Sequence, residues 1–103
     1  MNRPYVLTRS AQADLQEIVR YTQREWGIAQ CRTYVERLEA AATELALGQG
    51  PFRQREDLLP GLRVRLAGYH YIFCLPQTGG PAVVLAILHE RMELITRLKE
   101  RLD

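Results

Sequence analysis

The chain has 103 residues, of which 47% are apolar and 25% charged, and its formal net charge is +2. This length and composition indicate a single globular domain over residues 1–103 and argue against a disordered chain. The small net charge gives no indication of a nucleic-acid partner, and the longest apolar run, residues 82–88, is too short for a membrane span of about 20 residues.

The N-terminal half predicts a strand followed by two helices. Residues 3–8 form a short extended run that suits an edge strand, because Pro4 cannot donate a ladder hydrogen bond. Apolar residues then recur at helical spacing after Ser10, the predicted N-cap, and again from about Ile28 to Leu47. A single residue, Gly27, separates the two helices, so we predict an antiparallel helical hairpin.

The C-terminal half predicts three strands and a terminal helix. After a polar, irregular segment over residues 52–60, apolar residues alternate with arginines over residues 62–66, which is typical of a half-buried strand. A turn at Ala67-Gly68 leads into an aromatic strand, and residues 82–88 predict the central strand, covered on both faces. The tail over residues 92–102 predicts a short helix.

These elements predict an α+β fold with two layers, in the order β-α-α-β-β-β. The helical hairpin covers one face of a mostly antiparallel sheet, and the first strand joins the sheet at an edge.

The sequence lacks the motifs of the common enzyme classes, including phosphate-binding loops, zinc-protease helices and nucleophile elbows. Cys31 and Cys74 have apolar neighbours and no metal-ligand spacing, so we expect buried, reduced thiols in a cytoplasmic protein. We therefore expect no metal and no cofactor.

Basic residues on the predicted sheet are the candidates for function. Arg63 and Arg65 lie two residues apart on one strand and so share a face, and His89 and Arg91 lie at the end of the central strand. Arginine binds phosphate or carboxylate with two hydrogen bonds, and histidine transfers protons near neutral pH. The alternative is a solvated sheet face with a histidine that anchors a strand end. We interpret His70 as structural and Trp26 and Tyr34 as core residues.

Several short motifs follow one another in a characteristic order. They are Ala13-Asp14-Leu15 with Ile18 and Tyr21, Tyr34 to Leu38, Pro60-Gly61-Leu62-Arg63, His70 to Phe73, and Ile87-Leu88-His89-x-Arg91-Met92. Their order and spacing, from about Tyr5 to Glu93, resemble the ParE-type toxins of the RelE/ParE superfamily, which belong to bacterial type II toxin–antitoxin modules. Within the superfamily, the Pro-Gly-Leu-Arg turn and the Leu-His-x-Arg-Met ending are similar to ParE.

The resemblance implies a function in one of two classes. ParE-like toxins poison DNA gyrase and are not known as enzymes, whereas RelE-like relatives cut mRNA on the ribosome with clustered Lys and Arg residues. The chain has one lysine, Lys99, which favours a gyrase inhibitor, with a RelE-like ribosome-dependent mRNA endoribonuclease as the alternative. The candidate target-binding residues, which would be catalytic in the alternative, are Arg63, Arg65, His89 and Arg91. We expect no sequence-specific nucleic-acid binding by the chain alone.

The resemblance also implies an antitoxin partner, ParD-like for a ParE-like toxin. The chain has more apolar residues than one small core can bury, so some of them should form a groove for a partner. The residues predicted to bind the antitoxin are Trp26, Leu58, Leu59, Leu94, Ile95 and Leu98. A helical hairpin beside an open sheet edge suits a partner that contributes a helix and then a strand. In the alternative, the tail helix folds back and covers these residues within the same chain.

Overall fold

The computed structural model describes residues 3–102 and contains three helices and a five-stranded mixed sheet. The strands are β1 (Tyr5–Leu7), β2 (Arg53–Gln54), β3 (Arg63–Ala67), β4 (His70–Leu75) and β5 (Ala82–His89), and the helices are α1 (Arg9–Trp26), α2 (Ile28–Leu47) and α3 (Leu94–Leu102). The strand order is β1-β5-β4-β3-β2, with β1 parallel to β5 and the other pairs antiparallel. The predicted α+β class and the mostly antiparallel sheet are confirmed.

The predicted helical hairpin is also confirmed. Helix α1 begins after Thr8, whose Oγ1 accepts a hydrogen bond from the Ala11 amide at 3.0 Å, so the N-cap is Thr8 and the prediction of Ser10 is wrong. Gly27, with φ of 90°, separates α1 from α2. Both helices pack on one face of the sheet and enclose a first core. Its buried residues are Tyr5, Ala11, Ile18, Leu38, Ala41, Ala42, Leu45, Ala67, Ile72, Cys74, Ala82, Val84 and Ile87.

A second core lies on the opposite face of the sheet, so the predicted two-layer arrangement is incomplete. Here Leu98 of α3 packs against residues of β4, β5 and the segment before β3. The buried members of the second core are Leu62, Phe73, Ala86, Leu88 and Leu98. Because α3 covers this face and α1 covers the other, β5 is the doubly covered strand that its apolar sequence predicts. The segment predicted to be irregular contributes β2, which pairs with β3 at the sheet edge.

A β-bulge in β5 lets one strand supply both cores. Phe73 pairs with Ala86 and Cys74 pairs with Val84, so Leu85 has no partner residue on β4. Val84 belongs to the first core and Ala86 to the second, with the extra residue between them. A bulge of this kind interrupts the strict alternation of a strand and turns its backbone groups away from the regular ladder.

Strand β1 pairs with β5 only as far as Val84, and after that residue side chains form hydrogen bonds with the backbone at this edge of β5. The Asp14 carboxylate accepts a hydrogen bond from the Ile87 amide at 2.9 Å and two from the Arg101 guanidinium at 2.6 and 3.0 Å. Arg101 and Thr8 both donate to the Leu85 carbonyl at 3.3 Å. The Asp14 and Arg101 side chains are only 14% and 24% exposed. This pair therefore satisfies the backbone at the bulge and fixes the end of α3 against α1.

Both cysteines are buried and unpaired, as predicted. Burial raises the pKa of the Cys74 thiol to about 11, so this thiol is protonated at neutral pH. Among residues 3–102, no group of three or more His, Cys, Asp or Glu side chains is placed to hold a metal ion. None of the helices in this range combines the length and the apolar character that crossing a bilayer requires.

We expect Asp14→Ala to lower the free energy of unfolding by about 3 kcal/mol, because it leaves the Arg101 guanidinium and the Ile87 amide without their acceptor. The control is Glu17→Ala, which removes the exposed ion pair to Arg20 and should cost about 0.5 kcal/mol or less. Urea unfolding of both variants measures the difference. Equal, small losses would contradict the structural role of Asp14.

The turn between β3 and β4 generates a second prediction. A Cβ at Gly68, where φ is +62°, would lie 2.6 Å from Cε1 of Tyr34, whereas a Cβ at Gly79, where φ is +74°, would meet nothing within 4 Å. Both Gly→Ala variants carry the conformational cost of positive φ, about 1 kcal/mol, and Gly68→Ala should lose roughly 1–3 kcal/mol more through overpacking. Thermal unfolding measures the loss of stability in each variant. Equal losses would show that the Tyr34 side chain moves aside without an energetic cost.

Candidate functional site

Arg63 binds the C-terminal end of α2. Its Nη1 donates to the carbonyls of Leu45 at 3.0 Å and Ala46 at 3.3 Å, which lie in the last turn of the helix, where no further turn supplies amide donors. The last turn of α2 contains no basic residue, so Arg63 supplies the positive charge that a helix C-terminus favours. A Cβ at Gly48, the C-cap, would lie 3.2 Å from Nη2 of Arg63, so glycine leaves room for the guanidinium.

Arg65 also packs against α2. Its Nη1 donates to Oε1 of Glu44 at 2.7 Å, and its side chain is 17% exposed. The two arginines share a face, as predicted, but that face is covered by α2. The expectation that Arg63 and Arg65 lie on an exposed surface is therefore wrong, because both side chains connect β3 to the end of α2. Removing both charges would weaken the fold, so such a variant could not report on target contact alone.

His89 and Arg91 lie together at another end of the sheet. Nδ1 of His89 accepts a hydrogen bond from the Arg91 amide at 3.1 Å, and the Arg91 side chain is exposed. His89 pairs with His70 on β4, close to Tyr34 of α2. Tyr34 and Glu44, the α2 residues nearest the two sites, are ten positions apart, which is about 15 Å along a helix. The four predicted target-binding residues are therefore two separate pairs.

Four rings form a connected cluster at the His89 end. The Tyr34 hydroxyl lies 2.6 Å from Nδ1 of His70 and accepts a hydrogen bond from the Tyr69 amide at 3.0 Å. The rings of His70 and His89 meet edge to face with centroids 5.2 Å apart, and those of Tyr69 and His89 are nearly parallel at 6.4 Å. Interpreting Tyr34 as a core residue is correct in part, since it packs against the first core while its hydroxyl holds the β3–β4 turn.

The two inner members of this cluster are uncharged at neutral pH. Burial, with a smaller contribution from His89, lowers the pKa of His70 to about 4. Burial likewise raises the pKa of the Tyr34 hydroxyl above its ordinary value. The short hydrogen bond between them therefore joins a neutral phenol to a neutral imidazole. Interpreting His70 as structural agrees with this geometry, because its Nδ1 is engaged inside the protein.

An open groove of about 860 Å³ lies on the other face of the sheet, between β3 and the start of α3. Its lining is mainly apolar, with arginines at one side. The lining residues are Pro51, Phe52, Arg53, Arg55, Leu58, Val64, Arg65, Leu66, Tyr71, Phe73, Met92, Glu93, Leu94 and Ile95. Three of the predicted antitoxin-binding residues, Leu58, Leu94 and Ile95, are among them.

The other predicted antitoxin-binding residues lie elsewhere. Leu98 is 1% exposed in the second core, so its prediction as a free binding residue is wrong for the chain by itself: α3 folds back and buries it. Leu59 is partly buried against the same core. Trp26 is 64% exposed at the tip of the helical hairpin, so interpreting it as a core residue is also wrong.

Several residues at these surfaces are not among the predicted site residues. Leu66 and Met92 line the groove and are 45% and 44% exposed. The alternation over residues 62–66 already places Leu66 on the face of Leu62 and Val64, so this residue could have been found. The contacts of Asp14 with β5 and α3 have no local sequence signal, since its carboxylate reaches residues more than seventy positions away.

Comparisons with known proteins agree on one family. The family model described as "ParE toxin of type II toxin-antitoxin system, parDE" matches residues 5–94. The chain is 55% identical to Toxin ParE of Escherichia coli over 98 residues, which covers 95% of both chains. It is 32% identical to Toxin ParE1 of Caulobacter vibrioides, with 87% of this chain and 92% of the relative covered.

A solved structure supports the fold. The structure titled "Chromosomal ParDE TA system from P. aeruginosa" matches with a TM-score of 0.65 and 22% identity, covering 82% of this chain and 92% of the other. The resemblance inferred from the motifs is confirmed, including its ParE branch. This chain belongs to the ParE toxin family of type II toxin–antitoxin systems.

Proposed function

We propose that this chain is the toxin of a parDE-type module and that it inhibits DNA gyrase by binding to it, without breaking a bond itself. The observation that carries the proposal is the 55% identity to Toxin ParE of Escherichia coli over 95% of both chains. Gyrase is the target that the resemblance to ParE-type toxins implies. A gyrase inhibitor of this kind acts in the cytoplasm.

The positions of the basic residues favour binding over catalysis. An RNA-cleaving site needs a phosphate-binding group and proton-transfer groups around one reacting atom. Arg63 and Arg65 are engaged with α2, away from the His89 end, and the Nδ1 atoms of both histidines already hold hydrogen bonds. The mRNA endoribonuclease alternative is therefore less well supported than gyrase inhibition.

We propose that the target-binding surface contains His89 and Arg91 but not Arg63 and Arg65, whose side chains contact α2. The Arg91 side chain is exposed, and no ion pair engages it among residues 3–102. The strand end that carries it is held firmly, since His89 accepts a hydrogen bond from the Arg91 amide. An exposed cation on a fixed backbone suits contact with an acidic protein surface.

For the antitoxin we propose the groove on the α3 face. Its floor and walls are apolar, and Arg53 and Arg55 lie at one side, so it suits an amphipathic segment with acidic residues on its polar face. Strand β2 is the outermost strand of the sheet and borders this groove, which leaves an edge for an added strand. A ParD-like antitoxin that contributes a helix and then a strand fits both features. Trp26 would be reached only by a further segment of such a partner.

A gyrase assay tests the proposed activity. Purified chain incubated with gyrase, plasmid DNA and ATP should increase the cleaved DNA trapped with gyrase, while a parallel reaction with programmed ribosomes should leave mRNA intact. Cleaved mRNA with unchanged gyrase turnover would contradict the proposal and support the endoribonuclease.

Charge reversal tests the target-binding surface. We expect Arg91→Glu to raise the concentration needed for gyrase poisoning roughly tenfold, which corresponds to about 1.4 kcal/mol. Arg9→Glu is the control, since Arg9 is exposed at the first position of α1, where a carboxylate suits the helix dipole. If both variants poison gyrase as the parent chain does, Arg91 does not contact the target.

Two groove variants test the antitoxin surface. Leu66→Asp and Ile95→Asp replace side chains that are 45% and 48% exposed, so the fold should tolerate them. Each should weaken antitoxin binding at least roughly tenfold by placing a carboxylate against an apolar face. Ile28→Asp, at the exposed tip of the hairpin, controls for the added charge. Isothermal titration with the cognate antitoxin gives the affinities, and unchanged affinity in both groove variants would place the antitoxin elsewhere.

A further inference from the structure

Two nearly parallel rings lie at the His89 end of the sheet, and of these Tyr69 is exposed and His89 is half-buried. The planes of Tyr69 and His89 are inclined by 8°, and their centroids are 6.4 Å apart. Tyr69 is 64% exposed, so this large ring contributes little to either core. An exposed aromatic ring whose backbone is held firmly is a feature of surfaces that recognise flat ligands.

The two inner rings of the cluster, those of Tyr34 and His70, contact this pair from the protein interior. The Tyr34 hydroxyl accepts a hydrogen bond from the Tyr69 amide at 3.0 Å, and His70 meets the His89 ring edge to face at 5.2 Å. Nδ1 of His89 accepts a hydrogen bond from the Arg91 amide, so Nε2 is the ring nitrogen that can donate to a ligand. Because these contacts exist before any ligand arrives, little conformational entropy is lost on binding.

Two arginines without carboxylate partners lie beside the rings. Arg91 follows His89 by two residues, and Arg37 lies one helical turn after Tyr34 on α2. Burial raises the pKa of the Tyr34 hydroxyl, the positive charge of Arg37 lowers it, and the negative charge of Glu90 raises it. Within residues 3–102, Arg20, Arg24, Arg55, Arg65 and Arg101 form ion pairs, whereas Arg37 and Arg91 do not.

We propose that Tyr69, His89, Arg91 and Arg37 bind an unpaired nucleotide, with the base stacked on the Tyr69 ring and the phosphate held by the arginines. Every base offers a flat face, so stacking binds without sequence preference, and arginine is well suited to phosphate. An aromatic side chain of a protein could use the rings, but it would leave the two arginines unused. The proposal depends on these residues and not on gyrase as the target.

Binding to labelled single strands tests the site. Fluorescence anisotropy at low salt should show that the chain binds short oligo(dT) or oligo(U) more tightly than a duplex of the same length. The preferred strand identifies DNA or RNA as the source of the nucleotide. Tyr69→Ala should weaken binding roughly tenfold, as expected for one stacked base, while Tyr69→Phe should retain it. Arg91→Ala should weaken binding. It should also reduce the slope of the logarithm of the binding constant against the logarithm of the salt concentration by about one.

Tyr21→Ala is the matched control. Tyr21 is 54% exposed, and Cζ of Arg24 lies 5.7 Å from the centroid of the Tyr21 ring. Unlike Arg91, Arg24 forms an ion pair, with Glu25. Circular dichroism confirms that each variant is folded. Absence of binding to both single strands, equal binding to the duplex, or an equal loss in Tyr21→Ala would each overturn the proposal. If Tyr69→Ala abolishes gyrase poisoning although the parent chain binds no oligonucleotide, the rings contact protein and the proposal also fails.

Discussion

The Asp14 carboxylate connects parts of the chain that no backbone ladder joins. It accepts hydrogen bonds from the Ile87 amide and from the Arg101 guanidinium, so α1, β5 and α3 meet at one half-buried carboxylate. The bulge at Leu85 makes such a partner necessary, because the backbone there faces an edge that β1 does not reach. A buried backbone group without a partner is costly, and Asp14, Thr8 and Arg101 together remove that cost.

This arrangement separates the surfaces of the molecule. The bulge allows β5 to contribute to a core on each face, so the helical hairpin can cover one face while α3 covers part of the other. The part that α3 leaves open is the apolar groove, and the ring cluster lies at the end of the sheet where β4 begins and β5 ends. The fold therefore offers two surfaces that differ in chemistry, one for the proposed antitoxin contact and one for the proposed target contact.

Local patterns predicted the elements well, since period, glycine position and apolar runs reflect local physics. Gly27 marked the hairpin, and the alternation over residues 62–66 marked β3. Patterns could not show that the arginine face of β3 lies under α2, because a period of two defines two faces but not which one is covered. The same limit applies to Leu98 and Trp26, whose burial depends on where α3 and the hairpin tip pack. Asp14 acts over more than seventy residues of sequence, which no local window detects.

Hydrogen exchange at the Ile87 amide tests this role of Asp14 most directly. If the carboxylate keeps the Ile87 amide hydrogen-bonded and holds α3 in place, this amide exchanges only when the whole domain unfolds. Its exchange free energy then equals that of the most protected amides of β5. Exchange of Ile87 at a free energy well below that of the Leu88 amide, together with fast exchange along α3, would contradict the account. It would show that this edge is open and that α3 is not fixed on the second core.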